Sequence, residues 1–413
     1  MNRFFPIVFG SVFSLLIAAS AISDFVVGFN PKLALKFNPL NNAARIDILS
    51  SELFAELQPD QLREMENLAA QGIRFEPFDA RFYSLLGIIR DKENNSKLAR
   101  KLYRHSLKLL PVEIQALRQL FVFSVNNGNS KAAIELADAL TRRWPIYKTQ
   151  VAQYIPGLLK NRDAYDEALK RFPLQPDGVK FIVDALLADQ SSYDLASRMI
   201  LDWRRNNVPN LASAINLATH KLDQAGQSQK ASRFFYMTLS DADRKEAGYI
   251  HNGKFRVNTS DNIFDWKLVS KSGLNMKIAT VASRTGENRD NNARALQIEF
   301  GDAPVKLRLR GQALVLPQSR FNFKVVYSTD GFKGPKPIEI SILCTTGKLL
   351  TSLKLEAQSK PQAIVLRSQF KVPEENCKSQ LLLFSNGSFA ESWKNRFIGS
   401  IYLHEVSLVL SDL

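Results

Sequence analysis

Residues 80–111 read ARFYSLLGIIRDKENNSKLARKLYRHSLKLLP and predict a pair of helices. Apolar residues recur every three or four positions in both halves, which is the spacing of one face of an α-helix. Pro111 ends the second half, because proline cannot continue a helix. The same spacing, without strand-like alternation, runs from about Ala44 to Thr238, so this whole segment is predicted to be helical.

A fixed period runs through this helical segment. Pro77, Pro111 and Pro145 follow one another at intervals of 34 residues, and Ala99 and Ala133 have the same separation. Such a period indicates stacked helical hairpins, each of which buries its apolar face only against its neighbours.

The segment Ala80–Glu113 resembles the tetratricopeptide repeat. Tyr83 and Gly87 lie where the first helix of that repeat has a large and a small residue, and Ala99 and Tyr103 lie at the matching places of the second helix. The resemblance implies that Gly87 and Ala99 are small because the two helices cross closely there. It also implies that Tyr103 fills the groove between adjacent hairpins.

The other units match more loosely. Ile114–Tyr147 keeps Ala133 and Pro145 but has Phe121 where the first unit has glycine. Further units are predicted over Ile46–Asp79, over Gly178–Leu211 and from Ala212 onward, with a slip of the period between Tyr147 and Pro176. We therefore predict four or five units with an irregular middle.

An unrelated solenoid of helical hairpins is the alternative to tetratricopeptide repeats. Either array leaves a groove of the kind that binds peptides or protein segments. Tyr147, Tyr154, Arg142 and Arg143 are candidate groove residues, although solvated side chains would explain them equally well.

An uncharged apolar run, FFPIVFGSVFSLLIAASAIS, occupies residues 4–23. About 20 apolar residues span a bilayer core, so the run predicts a transmembrane signal anchor over residues 1–29. The protein would then be a single-pass inner-membrane protein with its bulk in the periplasm. A cleaved signal peptide, with Ala19-Ser20-Ala21 as its cleavage site, and a buried core helix are the alternatives.

The pattern changes after residue 245. Short alternating segments separated by Gly, Pro and Asn predict an antiparallel β-sandwich of about eight strands. These segments begin at Leu296, Val305, Phe321, Ile338, Leu349, Ile364, Leu381 and Ile401. The predicted domains are therefore 1–29, an all-α repeat domain over 30–245, and an all-β sandwich over 246–413.

The C-terminal part resembles carbohydrate-binding jelly rolls of the galactose-binding-like class. Asn252-Gly253-Lys254-Phe255 is similar to their opening strand, and Phe264-Asp265-Trp266 follows at the expected distance. Arg256 and His404-Glu405 stand where relatives have the acids that hold a structural calcium ion. The resemblance therefore implies a glycan-binding sandwich, and we expect no metal and no other cofactor.

Helical repeats behind one membrane helix, ending in such a sandwich, resemble bacterial proteins associated with exopolysaccharide machinery. The spacing of Cys344 and Cys377 and the segment Gln380–Leu383 recur in them. The resemblance implies a non-enzymatic, membrane-anchored adaptor in the synthesis or export of cell-surface polysaccharide. Its partners would be an envelope protein, an acidic polysaccharide and the inner membrane. A polysaccharide-modifying enzyme and a purely structural envelope protein are the alternatives.

Two tryptophans are candidates for stacking on a sugar ring, because a flat aromatic face matches the apolar face of a pyranose. Trp393 lies in a polar segment beside Lys394 and Arg396, which could meet a carboxylated sugar. Trp266 alternates with Phe264, which favours a core position instead. For the two basic residues, a solvated loop is the alternative.

Cys344 and Cys377 are the only cysteines. They belong to the same predicted domain, and a disulfide between them is predicted if the compartment is oxidising. Two buried free thiols are the alternative. The two cysteines and the scattered histidines argue against a zinc or iron–sulfur site.

The chain of 413 residues carries a formal net charge of +15, which favours polyanionic partners. Nucleic acid is not expected, because an exported chain would not meet it. No nucleophile-elbow, zincin or phosphate-loop motif is present, although catalytic groups need not be neighbours in sequence.

Overall fold

The computed structural model describes residues 4–281, 293–359, 362–387 and 396–411, with side chains from Val12 onward. It confirms the predicted fold class, because a tetratricopeptide-like helical array precedes an antiparallel β-sandwich. The chain forms two compact units, Met1–Ala185 and Leu186–Leu413. The domain division predicted at residues 245 and 246 stays a prediction.

Sixteen α-helices are present in the part of the chain that the structure describes. They are α1 (Phe4–Val26), α2 (Pro31–Phe37), α3 (Asn42–Glu52), α4 (Pro59–Phe75), α5 (Ala80–Lys92), α6 (Ser96–Leu109), α7 (Ile114–Asn126), α8 (Ser130–Arg143), α9 (Lys148–Ala152), α10 (Ile155–Leu158), α11 (Arg162–Arg171), α12 (Gly178–Leu187), α13 (Tyr193–Arg205), α14 (Ala212–Gln224), α15 (Ser228–Thr238) and α16 (Asp241–Lys245).

Ten β-strands follow within the described residues: β1 (Ser270–Lys271), β2 (Leu274–Thr280), β3 (Arg294–Pro304), β4 (Arg308–Leu314), β5 (Arg320–Lys333), β6 (Ile338–Cys344), β7 (Leu349–Leu355), β8 (Ile364–Lys371), β9 (Gln380–Ser385) and β10 (Arg396–Leu410). They form a larger sheet, in the order β1-β2-β3-β10-β5-β8, and a smaller sheet, in the order β4-β9-β6-β7. The eight predicted strands are β3 to β10, and the short β1 and the longer β2 were not predicted.

Asparagine and acidic side chains begin the helices of the repeats. Asn95 and Asn129, which are 34 residues apart, accept hydrogen bonds from the backbone N–H groups of the first turns of α6 and α8. Asp79 and Glu113, also 34 residues apart, cap α5 and α7 in the same way. These caps satisfy N–H groups that have no partner inside the helix, and they fix where each helix starts.

The repeat-packing residues predicted from the sequence lie inside the hairpins. Gly87 faces the ring of Tyr103 in the same hairpin, rather than a closely crossing backbone. Ala99 and Ala133 are fully buried, and Tyr103 shares a core cluster with residues of the next hairpin. Tyr83 is half-buried, and its hydroxyl donates to the Pro77 carbonyl oxygen at 2.9 Å.

Two prolines lie at the ends of units, as the period predicted. Pro111 lies in the turn between α6 and α7, and Pro145 begins a 3₁₀ turn after α8. Proline suits both places, because neither requires its missing N–H group within a helix.

The predicted transmembrane anchor over residues 1–29 is wrong, because no helix among the described residues is long and apolar enough to cross a membrane. The same finding corrects the predicted inner-membrane location. The last turns of α1 make polar contacts with the residues that follow. Ser23 Oγ donates to the Ala34 carbonyl oxygen at 2.8 Å, and Asn41 Nδ2 donates to Ser23 Oγ at 2.9 Å and to Asp24 Oδ1 at 3.0 Å.

The sandwich core lies between the inner faces of the two sheets. Alternate residues of each strand point inward, which is why the period-two pattern predicted the strands. In the larger sheet, Leu403 of β10 lies opposite both Leu296 of β3 and Tyr327 of β5. All three side chains are buried, as are Ile340 and Phe384 from the smaller sheet.

The segment Asn252-Gly253-Lys254-Phe255 is not the opening strand that the resemblance implied. It is a turn, in which Asn252 and Phe255 have positive φ angles of 50° and 57°. The Gly253 carbonyl oxygen accepts a hydrogen bond from the Val406 N–H, and a side chain on Gly253 would strike the Val406 carbonyl oxygen. The glycine therefore permits close contact with β10 rather than strand pairing.

Within the second unit, the last helical hairpin packs directly on the sandwich. Asn262 Nδ2 donates to Asn216 Oδ1 at 2.9 Å and to Thr219 Oγ1 at 3.2 Å on α14. The ring of Phe235 on α15 lies 5.4 Å from His251 and 6.0 Å from Phe264. Because polar and aromatic contacts both join them, α14, α15 and the sandwich form one packed body.

Candidate functional site

An open groove interrupts the helical array beside α7. Its volume is about 390 Å³. It is lined by Arg118, Gln119, Phe121, Val122, Leu140, Gln150, Val151, Gln153 and Tyr154. We call it the α7–α10 groove. Its mixture of apolar, amide and cationic groups, and its size, are those of a site for a small ligand or a few side chains of a peptide.

The slip of the period builds this groove. Where a full helix would begin the next hairpin, the chain forms the 3₁₀ turn that begins at Pro145 and then two short helices, α9 and α10. Pro156 lies in the first turn of α10, and Asn161 caps α11 and restores helical order. The irregular middle predicted from the sequence is therefore the place where the array opens.

Aromatic contacts hold the wall of the groove. The ring of Tyr154 meets that of Phe121 edge-on, with 5.6 Å between the centroids. The guanidinium of Arg118 lies 5.1 Å from the centre of the Phe54 ring. Phe121 occupies the position that is glycine in the preceding unit, so the residue that loosened the sequence match helps to form the groove.

Of the four candidate groove residues, Tyr154 lines the groove. Arg142 and Arg143 lie at the end of α8, where Arg142 Nη2 donates to Asp138 Oδ2 at 3.3 Å. Tyr147 closes the 3₁₀ turn. These three residues do not line the groove.

The predicted disulfide is confirmed. Cys344, the last residue of β6, is bonded to Cys377 in the segment before β9, with 5.0 Å between the Cα atoms. Gln380 Nε2 donates to the Cys377 carbonyl oxygen at 2.7 Å. The bond therefore ties the segment that precedes β9 to the neighbouring strand of the smaller sheet.

Trp266 does not offer a face to a sugar. Its side chain is only 1% exposed, and its Nε1–H donates to the Asn252 carbonyl oxygen at 3.0 Å. The Phe255 and Phe384 rings lie 5.1 Å and 6.3 Å from it. The prediction that Trp266 binds glycan is therefore wrong. The alternation with Phe264 had already favoured the core position, and both side chains are buried there.

The other predicted glycan-binding residues lie at the start of β10. Trp393 and Lys394 lie outside the described residues. Arg396 donates from Nη2 to Asp302 Oδ2 at 2.8 Å, and both side chains are about half exposed. Because an exposed ion pair of this kind is weak, the arginine can exchange Asp302 for another anion. Its role in glycan binding stays a prediction.

The outer face of the smaller sheet is a second candidate surface, and no local sequence pattern indicates it. Inward residues of β6 and β9 belong to the core, so the alternate residues point outward. This smaller-sheet face consists of Arg308, Arg310, Glu339, Ser341, Leu343, Ser352, Lys354, Leu381, Leu383 and Ser385. Only strand order could reveal it, because its residues come from four separated segments.

Half-buried leucines lie beside arginines on this face. Leu383 is flanked by Arg310 on β4 and by Ser341 on β6. In the next row Ser385 is flanked by Arg308 and Glu339. The face therefore combines an apolar strip with basic groups that can pair with a carboxylate.

His404 and Glu405, which stand where relatives have calcium-binding acids, contact other side chains of the sandwich. Glu405 accepts hydrogen bonds from Lys324 Nζ at 2.8 Å and Ser407 Oγ at 2.9 Å. His404 Nε2 lies 2.9 Å from Ser328 Oγ. Across the described ranges, no group of three or more His, Cys, Asp or Glu side chains could hold a metal ion.

Buried acids with shifted pKa values support the fold. Burial raises the pKa of Glu113, which accepts a hydrogen bond from the Ala116 N–H at 2.7 Å. Burial also raises the pKa of Asp265, although backbone N–H groups of Ser260 and Trp266 donate to it. Each carboxylate therefore accepts hydrogen bonds from nearby backbone N–H groups.

No protein-family model matches the chain, and no curated protein matches it.

Several solved structures match parts of the chain. One described as "CBM4 structure and function" is 15% identical with a TM-score of 0.28, and covers 39% of this chain and 99% of its own. A TmCBM61 complex with beta-1,4-galactotriose is 11% identical with a TM-score of 0.25, and covers 40% and 99%. A structure described as "MamA AMB-1 P212121" is 18% identical with a TM-score of 0.27, and covers 51% and 96%. At these values, none of the likenesses says what this chain binds.

Proposed function

We propose that the chain is a non-catalytic adaptor that binds a protein segment through its helical repeats and an acidic polysaccharide through its sandwich. The process it would serve is the synthesis or export of a cell-surface polysaccharide. The observation that carries this proposal is the presence of two candidate binding surfaces, the α7–α10 groove on the helical array and the smaller-sheet face with its basic groups on the sandwich.

The α7–α10 groove has the residue types that dominate protein interfaces. Tyr154 and Arg118 both line it, and tyrosine and arginine are among the residues whose truncation weakens protein complexes most. Gln119, Gln150 and Gln153 add donors and acceptors that can pair with the backbone of a bound segment.

The smaller-sheet face has the charge needed for an acidic polysaccharide. Arg308 and Arg310 lie on adjacent rows, and Lys354 lies across the sheet opposite Glu339. The formal net charge of +15 would attract a polyanion over a distance, before these groups make contact.

The buried acids support a non-catalytic function. Shifted pKa values often mark catalytic groups, but those of Glu113 and Asp265 belong to carboxylates that cap backbone N–H groups. Asp138 is likewise engaged, since Arg142 and Gln175 both donate to it.

A glycan array probed with the full chain tests the proposal. We expect binding to carboxylated polysaccharides, weakened about tenfold by R308E/R310E, because like charges repel across the surface. The matched control is R367E/K371E, which changes the charge equally on exposed residues of β8 in the larger sheet. We expect the control to bind like the unmodified chain.

Three outcomes would overturn the proposal. If no glycan binds, or if both double variants bind equally weakly, the smaller-sheet face is not a glycan site. If a bound polysaccharide is shortened or chemically altered, the protein is an enzyme rather than an adaptor.

A further inference from the structure

A second groove lies between the second helices of two successive hairpins, α13 and α15. Its volume is about 360 Å³. It is made by residues of α13 and α15 with Leu222 of α14 at its base. It belongs wholly to the second compact unit, and none of its residues lines the α7–α10 groove.

The floor of this α13–α15 groove is apolar. Leu222 and Phe234 are buried, while Met237 is 47% exposed and Leu201 is half-buried. Methionine is unbranched and adaptable, and it is common on surfaces that accept varied apolar side chains. The floor can therefore take aliphatic side chains of a ligand.

The rim of the groove carries excess positive charge. Four basic and two acidic residues line it. Both acids are already paired, since Lys230 Nζ lies 2.9 Å from Asp194 Oδ2 and Arg205 Nη1 lies 2.9 Å from Asp202 Oδ1. Arg198 and Arg233 make no ion pair within the described ranges, and both are exposed.

A buried hydroxyl on the groove wall also has no partner. Ser197 lines the groove, and its Oγ is buried without a hydrogen-bond partner in the described chain. Leaving such a group unpaired costs about 1–3 kcal/mol.

We propose that the α13–α15 groove binds an acidic peptide segment that also carries aliphatic side chains. Its carboxylates would pair with Arg198 and Arg233, and its apolar groups would cover Met237 and Leu201. An aliphatic floor fits a peptide better than a polysaccharide, because sugar rings pack on flat aromatic faces and Phe234 is buried. The site includes neither the α7–α10 groove nor the smaller-sheet face. The proposal for this site therefore does not depend on the adaptor function proposed above.

Fluorescence anisotropy of a labelled synthetic peptide of Glu and Leu in equal numbers, titrated with the full chain, tests this proposal. We expect R198E and R233E each to weaken binding about tenfold, because a repulsive charge replaces an attractive one. The matched control is R204E, an equal charge change at an exposed position of α13 outside the groove. We expect its affinity to stay within about twofold, with circular dichroism confirming that each variant folds.

Other outcomes would overturn the inference. If the unmodified chain does not bind the peptide, the proposed site does not exist. If R204E weakens binding as much as R198E and R233E do, the peptide is attracted by the overall positive charge of the protein and not by this groove. Loss of binding in R118E but not in R198E would place the peptide in the α7–α10 groove. If polygalacturonate displaces the peptide and itself loses affinity in R233E, the groove is a glycan site instead.

Discussion

Gly87 lies directly beneath the ring of Tyr103, so that a Cβ atom on the glycine would stand 2.5 Å from Tyr103 Cε1. One period further along the chain, Phe121 and Ala137 occupy these two places, and both are buried. In the first unit the small residue is on the first helix and the large residue on the second, whereas in the next unit the large residue is on the first helix and the small one on the second. Two successive units thus place one large and one small residue at these paired positions.

Replacing Gly87 with alanine should destabilise the helical unit by about 1–3 kcal/mol, because the added methyl group overpacks a buried ring. Urea unfolding followed by far-UV circular dichroism measures the change. G157A is the control, since a Cβ atom there meets nothing within 4 Å. If G87A and G157A unfold at the same urea concentration, Tyr103 can move aside and the packing argument is wrong.

Replacing Tyr103 with phenylalanine should leave stability unchanged or raise it by about 1 kcal/mol. The hydroxyl is buried and has no hydrogen-bond partner among the described residues. Its removal therefore also removes the free-energy cost of taking this group out of water on folding. Burial also raises the pKa of this hydroxyl, in keeping with a group isolated from water. Thermal unfolding of Y103F measures the effect, and a clear fall in the midpoint would mean that the hydroxyl has a partner.

The two acidic caps, Asp79 and Glu113, should respond to pH with opposite signs. Burial raises the pKa of Glu113 above 4.5, so its folded form takes up a proton first. Its contribution to stability is fully present below the unfolded pKa and is lost as pH rises through the raised value. E113Q should therefore flatten the fall in stability above about pH 4.5, measured by urea unfolding at several pH values.

Asp79 should behave in the other direction. Burial opposes ionisation there, but the hydrogen bonds and charge of Arg81 outweigh it and hold the pKa of Asp79 below 3.8. Its contribution is present above the unfolded pKa and is lost as pH falls through the depressed value. D79N should therefore lower stability near neutral pH and flatten the acid limb. A shared sign for the two variants would contradict these environments.

Removing the Cys344–Cys377 bond should destabilise the sandwich by about 3–4 kcal/mol, as expected for a loop closed over a separation of 33 residues. The double variant C344S/C377S should unfold at lower denaturant concentration, and reductant should no longer affect it. Thiol titration of the unmodified protein should find no reactive cysteine before reduction. Two free thiols at that stage would show that the bond does not form in solution.

Asn262 should couple the last hairpin to the sandwich. Alanine there removes the hydrogen bonds to Asn216 and Thr219, at a cost of about 1–2 kcal/mol. Amide hydrogen exchange should then become faster in α14 and α15 than in the β-strands. N322A, which removes an exposed hydrogen bond to Gln369 on the larger sheet, is the control and should leave the hairpin unaffected. If α14 and α15 exchange at the same rate in both variants, the aromatic contacts alone hold the hairpin on the sandwich.

Local sequence patterns predicted most of the fold. The 34-residue spacing of Pro77, Pro111 and Pro145 reflects hairpins that pack on their neighbours, and alternation in β3 to β10 reflects one buried face. The segment Leu274–Thr280 also alternates, as LNMKIAT, and could have been predicted as β2. The apolar run at the N-terminus predicted a membrane anchor that no helix among the described residues is long and apolar enough to provide.

The candidate surfaces could not be predicted in the same way. The smaller-sheet face depends on β4, β9 and β6 being neighbours, and residues such as Arg310, Leu383 and Ser341 are far apart in sequence. The sequence indicates the α7–α10 groove only through the slip in the 34-residue period. The contact between Phe121 and Tyr154, which forms the aromatic wall of the groove, is seen only in the tertiary structure.

By itself, the sequence determined the period of the helices, the alternation of the strands and the two cysteines available for a bond. These properties depend on residues close together in the chain or on composition. Tertiary structure alone decided that Trp266 is enclosed by Phe255 and Phe384, and that Arg198 and Arg233 share one groove. Burial and shared surfaces depend on contacts between distant segments, and no local pattern specifies which segments will meet.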